Sequence, residues 1–185
     1  LIQIQRKMKK LAIILAFLMA PLLAQAQNPF AGFENEDDVT SFVATKKMFK
    51  LMSKMDFDSS DPEVKEYLEL VNNLDNVRIL TTDNPGIAAR MNDAVTSYVS
   101  SNGALSELMR VKDDGKNVKF YSKEGKNDNF VTELLMHLTG NIDGKERTVV
   151  MSITGNIDLK KVSKLTKDLN VPGSEELKNI DKKKQ

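Results

Sequence analysis

The stretch Leu105 to Thr154, LSELMRVKDDGKNVKFYSKEGKNDNFVTELLMHLTGNIDGKERTVVMSIT, decides the fold class. Four strand-like segments lie within it. Leu105 to Lys112 and Val118 to Lys123 flank Asp113-Asp114-Gly115, and Phe130 to Thr139 and Arg147 to Thr154 flank Asp143-Gly144. Asp-Gly between runs rich in apolar and β-branched residues signals a hairpin, because both residues tolerate the backbone of a tight, right-twisting turn. Successive hairpins predict a mostly antiparallel sheet.

On the N-terminal side, Val39 to Thr45 (Val-Thr-Ser-Phe-Val-Ala-Thr) is β-branched and partly alternating, a first strand. Met48, Leu51, Met52 and Met55 recur at helical spacing. Asp61-Pro62-Glu63 opens a helix with an Asx cap, a first-turn proline and an acid at the positive helix end. Its apolar stripe is Val64, Tyr67, Leu68, Val71 and Leu74, and Val77 to Leu80 forms a short strand after it. Asn84-Pro85 opens another helix, with Ile87, Met91, Ala94, Val95, Tyr98 and Val99 on one face and Asn102-Gly103 at its end. On the C-terminal side, Asp158 caps a last helix carrying Leu159, Val162, Leu165 and Leu169, stopped before Pro172-Gly173.

This order predicts an α+β fold: a mostly antiparallel sheet of about five to six strands, with three to four helices packed mainly on one face. The Val39 and Val77 strands are expected to lie parallel through a right-handed helical crossover. Residues 39–172 form the single domain, residues 27–38 a flexible leader into it, and residues 173–185 a charged C-terminal tail.

Residues 1–26 read as an address. Met8-Lys9-Lys10, the apolar run Leu11 to Leu23 and Ala24-Gln25-Ala26 describe a secretory signal peptide preceded by a short upstream extension. The run falls short of the ~20 residues of a membrane span, and Pro21 interrupts it. Cleavage near Ala26 would release a soluble chain to the periplasm or beyond, without a transmembrane segment. Removing Arg6, Lys7, Lys9 and Lys10 from the 27 basic residues leaves 23 against 26 acids, a net charge of −3. An acidic domain whose one basic cluster is Lys182-Lys183-Lys184 does not present the basic, aromatic-laced face of a nucleic-acid binder.

Composition also removes chemistries. Among the 185 residues there is no Cys, no Trp and one His. Disulfides, thiolate metal sites and cysteine nucleophiles are therefore excluded.

Each candidate motif carries a structural explanation. Gly140-Asn141-Ile142-Asp143-Gly144-Lys145-Glu146 lacks the spacing and the hydroxyl of a phosphate loop and reads as a hairpin. Asp56-Phe57-Asp58-Ser59-Ser60-Asp61 alternates oxygen ligands, but Tyr67 stands where a calcium loop needs glutamate. Met48, Met52 and Met55 could hold soft copper(I), though a core stripe explains them as well. His137, in Leu134-Leu135-Met136-His137-Leu138, shares a strand face with Leu135 and Glu133; no serine elbow accompanies it. Glu63, Glu66 and Glu69 interleave with Lys65 as a solvated helix face. Thr139-Gly140-Asn141-Ile142-Asp143 recurs as Thr154-Gly155-Asn156-Ile157-Asp158, read as repeated turn chemistry at strand ends.

Three stretches carry a family resemblance: VTSFVATKKMFKLMSKM (39–55), ELMRVKDDGKNVKFYSKEG (107–125), and residues 131–165, from VTELLMHLTG to VVMSITGNIDLKKVSKL. With the signal peptide, they resemble the exported bacterial domain-of-unknown-function family 4252. The resemblance implies a Gram-negative envelope protein of one small domain. It brings no activity and no catalytic residues. Some members of that family are lipoproteins; without a cysteine, this chain is expected as the released form.

No catalytic, cofactor-binding or metal-binding residue is assigned, and no cofactor. The functional expectation is a non-enzymatic binding or protein-interaction module with a partner protein in the envelope, in which sheet edges accept a partner strand. The alternatives are a hydrolase-type enzyme using Ser, Asp or Glu chemistry around His137, and a small-ligand or metal carrier using the methionine stripe.

Overall fold

The computed structural model describes residues 28–54, 62–113, 115–127 and 129–159. Two compact units divide the chain. Of the first, Leu1–Ala31, residues 28–31 are described, with the Asn28 side chain accepting the Phe30 amide at 2.9 Å. The second, Gly32–Gln185, holds the sheet and helices.

Six strands form one antiparallel sheet: β1 (Thr40–Thr45), β2 (Leu74–Thr82), β3 (Leu105–Asp113), β4 (Lys116–Glu124), β5 (Phe130–Ile142) and β6 (Lys145–Asp158). Their order across the sheet is β1-β2-β6-β5-β4-β3. The described helices are α1 (Lys46–Met52), α2 (Pro62–Asn72) and α3 (Pro85–Ser101). The Asp-Gly pairs do what their chemistry requires. Ile142 pairs with Lys145 and Asp113 with Lys116, so two-residue loops close both hairpins.

The expected parallel pairing of the first two strands is wrong. Thr45 lies opposite Asn76 and Thr40 opposite Thr81, so β1 and β2 are antiparallel. The connection holds two helices, α1 and α2, which pack on each other. It leaves and re-enters the sheet at the same end, whereas a one-helix crossover would have carried the chain to the other. Leu74, read as the end of the α2 stripe, instead begins β2, and β2 is longer than Val77 to Leu80. The motif at 56–61 and the last helix beyond Leu159 lie outside the described residues.

Alternation along the strands gives the sheet two faces, and each has a core. One face carries Ala44, Val77, Val118, Phe120, Leu134, Met136, Leu138, Val149, Met151 and Ile153, packed with Phe49 of α1 and Leu70 and Val71 of α2. The other carries Leu80, Leu135 and Val150, and it faces Ile87, Met91 and Val95 of α3. Two of the three described helices thus share a face and α3 has the opposite one. α3 starts where Asn84 Oδ1 accepts the amides of Gly86 and Ile87 at 2.9 and 3.2 Å, ahead of Pro85 at the first turn.

The repeated pentapeptide lies inside strands. Gly140 and Gly155 have φ values of +137° and +143°, a region that side chains rarely adopt. A Cβ on Gly140 would strike the Gly115 carbonyl oxygen, and one on Gly155 would strike that of Asn73. Each copy therefore marks a place where another segment's backbone closes on the strand. At the second copy, the Asn156 amide donates to Asn73 O at 2.8 Å.

Candidate functional site

The polar side chains that the fold gathers lie between β5 and α3. Glu133 and His137 stand four residues apart on β5 and share the face covered by α3. Four strand residues span about 13 Å, so they are not partners of one another. Each meets α3 instead. His137 Nε2 lies 2.8 Å from Asn92 Oδ1. The Tyr98 hydroxyl donates to Glu133, at 2.9 and 3.0 Å from its two carboxylate oxygens. Asn92 and Tyr98 are about 9 Å apart along a helix, so these two bonds fix α3 running opposite to β5.

Burial sets the protonation of this row. Removal from water disfavours the imidazolium, and Lys119, directly across from His137 on β4, adds repulsion; together they push His137 down to about 4. The ring is therefore neutral at pH 7. An amide oxygen at Nε2 requires the hydrogen there, leaving the lone pair on Nδ1. Burial, the Glu133 charge and the hydrogen bond to it push the Tyr98 hydroxyl up to about 12, so it remains a donor. Burial raises Glu133 above the usual carboxylate range, opposed by the Tyr98 bond and by Lys123. The neutral ring is bonded to Asn92, and the un-ionised phenol to the buried Glu133 carboxyl. No hydroxyl bonds to His137 among the described residues, so this row holds no nucleophile–base pair.

The other sequence candidates do not converge on it. Met48 is exposed, whereas Met52 packs against the core, and Met55 lies outside the described residues. The 140–146 segment is a hairpin in which Asn141 Oδ1 accepts the Gly144 amide at 3.0 Å, and Lys145 is spent on Asp83 at 2.8 Å. Glu69 is exposed on α2. Among the described residues no group of three or more His, Asp or Glu side chains is placed to hold a metal ion, and no helix is long and apolar enough to cross a membrane.

Sequence reasoning found His137 but not its setting. Tyr98 was read only as part of the apolar stripe of α3; a phenol on a buried stripe must find a partner, and that was the available signal. Asn92 gave none, being one polar residue among several on the helix. A separate cleft of about 500 Å³ opens at the β4–β5 end, with Ser106, Ser122 and Phe130 in its wall. There the Lys126 ammonium stands 5.1 Å from the centre of the Phe130 ring.

The family described as Domain of unknown function (DUF4252) matches residues 33–165. The chain belongs to this family. The DUF4252 match spans every described strand and helix from β1 to β6. No curated protein matches the chain, and no solved structure does. Membership agrees with the resemblance carried by the three sequence stretches and assigns no site residue.

Proposed function

We propose that this DUF4252 domain is a non-enzymatic protein-interaction module that works in the bacterial envelope after export. The observation that carries the reading is a contrast. The buried polar row beneath α3 is satisfied internally, while the outer strands β1 and β3 leave one backbone edge each without a described partner. An unpaired edge offers regularly spaced donors and acceptors to an extended segment of another chain, with side-chain pockets alternating along it. The signal-peptide pattern of residues 8–26 supports the export part of the reading.

The other two readings have weaker support. Hydrolysis around His137 would need a nucleophile at a ring nitrogen, and Nε2 is engaged by Asn92. A carrier based on the methionine stripe would need Met48 and Met52 to converge, and one is exposed while the other packs inward.

The test places a photoreactive side chain in living bacteria at Thr40 on β1, at Lys112 on β3 and at the exposed Lys65 on α2. The expected result is adducts of discrete mass from one or both edge positions and none from position 65. Equal, diffuse labelling at all three positions would remove the proposal.

A further inference from the structure

Val118 and Phe120 of β4 are 1% and 0% exposed, yet the described helices on their side of the sheet sit over other strands. Opposite them on β3, Val111 and Met109 are half-buried and packed on the same core. With neighbouring strands about 4.8 Å apart, the six-stranded sheet is about 24 Å wide. A packed helix takes about 10 Å of that width, or about two strands. α1 rests on β1 and β2, and α2 packs beside α1. The end of α2 faces Phe130 of β5 and Asn156 of β6 across a small cleft, so α2 takes the next two strands in the order. β4 and β3 need a third cover on this face, because α3 lies on the other.

The chain itself arrives there. β6 ends beside β5, yet the next residue, Leu159, is buried in this core and shares the wall of the cleft of about 500 Å³ with Leu108 of β3, Ser122 of β4 and Val131 of β5. Its amide donates to Asn129 O at 3.2 Å, which fixes the exit at the β4–β5 connection. The chain has thus crossed β5 towards the uncovered pair. The sequence that follows repeats Leu159, Val162, Leu165 and Leu169 at helical spacing, with Lys160, Lys161, Lys164 and Lys167 between them and Pro172-Gly173 beyond. The family match also continues past Leu159, to residue 165.

We infer that residues 160–169 are the missing cover: a helix antiparallel to β4 that lays its apolar stripe on β4 and β3. The lengths agree. From Leu159 to Leu169 a helix rises about 15 Å, and from Ser122 in the cleft to Val118 the strand runs about 13 Å. Six helical residues rise about 9 Å, about three residues of strand. Leu165 therefore comes to the level of Met109, and Leu169 to that of Val111. Of the other stretches outside the described residues, 55–61 is bounded by α1 and α2 at the far half of the sheet, and 1–26 is the leader that export would remove. This inference does not depend on the interaction-module reading. It closes the β3–β4 face to partners with the chain's own segment and makes the four lysines its outer surface.

The chain has no cysteine, so two introduced thiols are the only ones present. The test treats the purified full chain with a short bismaleimide and reads the bridges by mass. Met109→Cys with Leu165→Cys, and Val111→Cys with Leu169→Cys, are expected to bridge within one chain. Phe42→Cys with Leu165→Cys, at the opposite side of the sheet, is expected not to. A second readout needs no label. In Leu165→Lys, dilute hydrogen peroxide should oxidise Met109 about tenfold faster than in the native chain, while Met91 and Met151, both 0% exposed, stay protected. If Leu165→Lys fails to fold, Met91 and Met151 react as well, and Leu169→Lys at the far end of the segment takes its place. A folded chain that forms no 109–165 bridge overturns the inference. So does a bridge that joins two chains, which would make a second copy the cover, or a Met109 whose oxidation rate neither lysine variant changes.

Discussion

At the scale of the residue, His137 and Glu133 make opposite demands on pH. His137 titrates near 4 in the folded protein against an ordinary value of 6.5. As pH falls below 6.5 the unfolded chain accepts a proton that the folded protein refuses until about 4. The contribution of His137 is therefore fully present above 6.5 and is lost towards 4, a change of about 3 kcal/mol. Glu133 is raised, so the folded protein takes up that proton first, and acidification through the raised value stabilises the fold. In the native chain the two partly offset. Urea unfolding at pH 7.0, 5.5 and 4.5, taken as about neutral to acidic steps through this window, separates them. His137→Gln should flatten the loss of stability on acidification, and Glu133→Gln should steepen it. Three parallel curves would mean that neither group is held as its surroundings in the structure require.

At the scale of the element, the two glycines of the repeated pentapeptide decide whether neighbouring segments can close. Gly140→Ala and Gly155→Ala each face a strained backbone region and a collision with a carbonyl oxygen. Each is expected to cost on the order of 1–3 kcal/mol. Gly103→Ala, where nothing lies within 4 Å, should change the unfolding midpoint little. A Gly155→Ala variant as stable as the native chain would show that Asn73 moves aside freely. These positions also show why parts of the fold could be read and others not. Hairpins are local: Asp143-Gly144 contains the turn it makes, and Asn84-Pro85 the helix start it caps. The direction of β2 is not local, because it depends on two helices packing between strands and not on any residue of β2. Leu74 fits a helical stripe as well as a strand, and only its contact with the core separates them. The site was half legible for the same reason. His137 stands out by composition, but its partner Asn92 lies 45 positions away, and nothing in either segment announces the meeting.

At the scale of the whole domain, a segment ahead of β1 ties its parts together. Residues 34–38 were expected from composition as part of a leader; the structure bonds three of them to the α3 side of the sheet. Glu34 pairs with Arg78 of β2, the Glu36 carboxylate takes both terminal nitrogens of Arg90 on α3 at 2.9 and 2.8 Å, and Asp38 O accepts from Thr82 at 2.7 Å. These ties differ in weight. Arg90 and Glu36 meet in solvent, where an ion pair is screened and adds little. The Arg78 side chain is only 9% exposed, and its Nη1 has no hydrogen-bond partner among the described residues. Glu34 is thus the group that compensates a buried charge. Glu34→Gln should cost about 3 kcal/mol, as the loss of one member of a buried pair does, and Glu36→Gln much less. Arg78→Met removes the charge that needed compensation, so the double variant Glu34→Gln, Arg78→Met should recover more than half of the single loss in a double-mutant cycle. Hydrogen exchange adds the spatial test. Glu34→Gln should expose the amides of residues 34–39 before those at the centre of β5 and β6, because local opening begins where the fewest contacts hold. Simple additivity in the cycle would mean that Arg78 is hydrated in solution, and that the segment is held by Asp38 and the start of α3 instead.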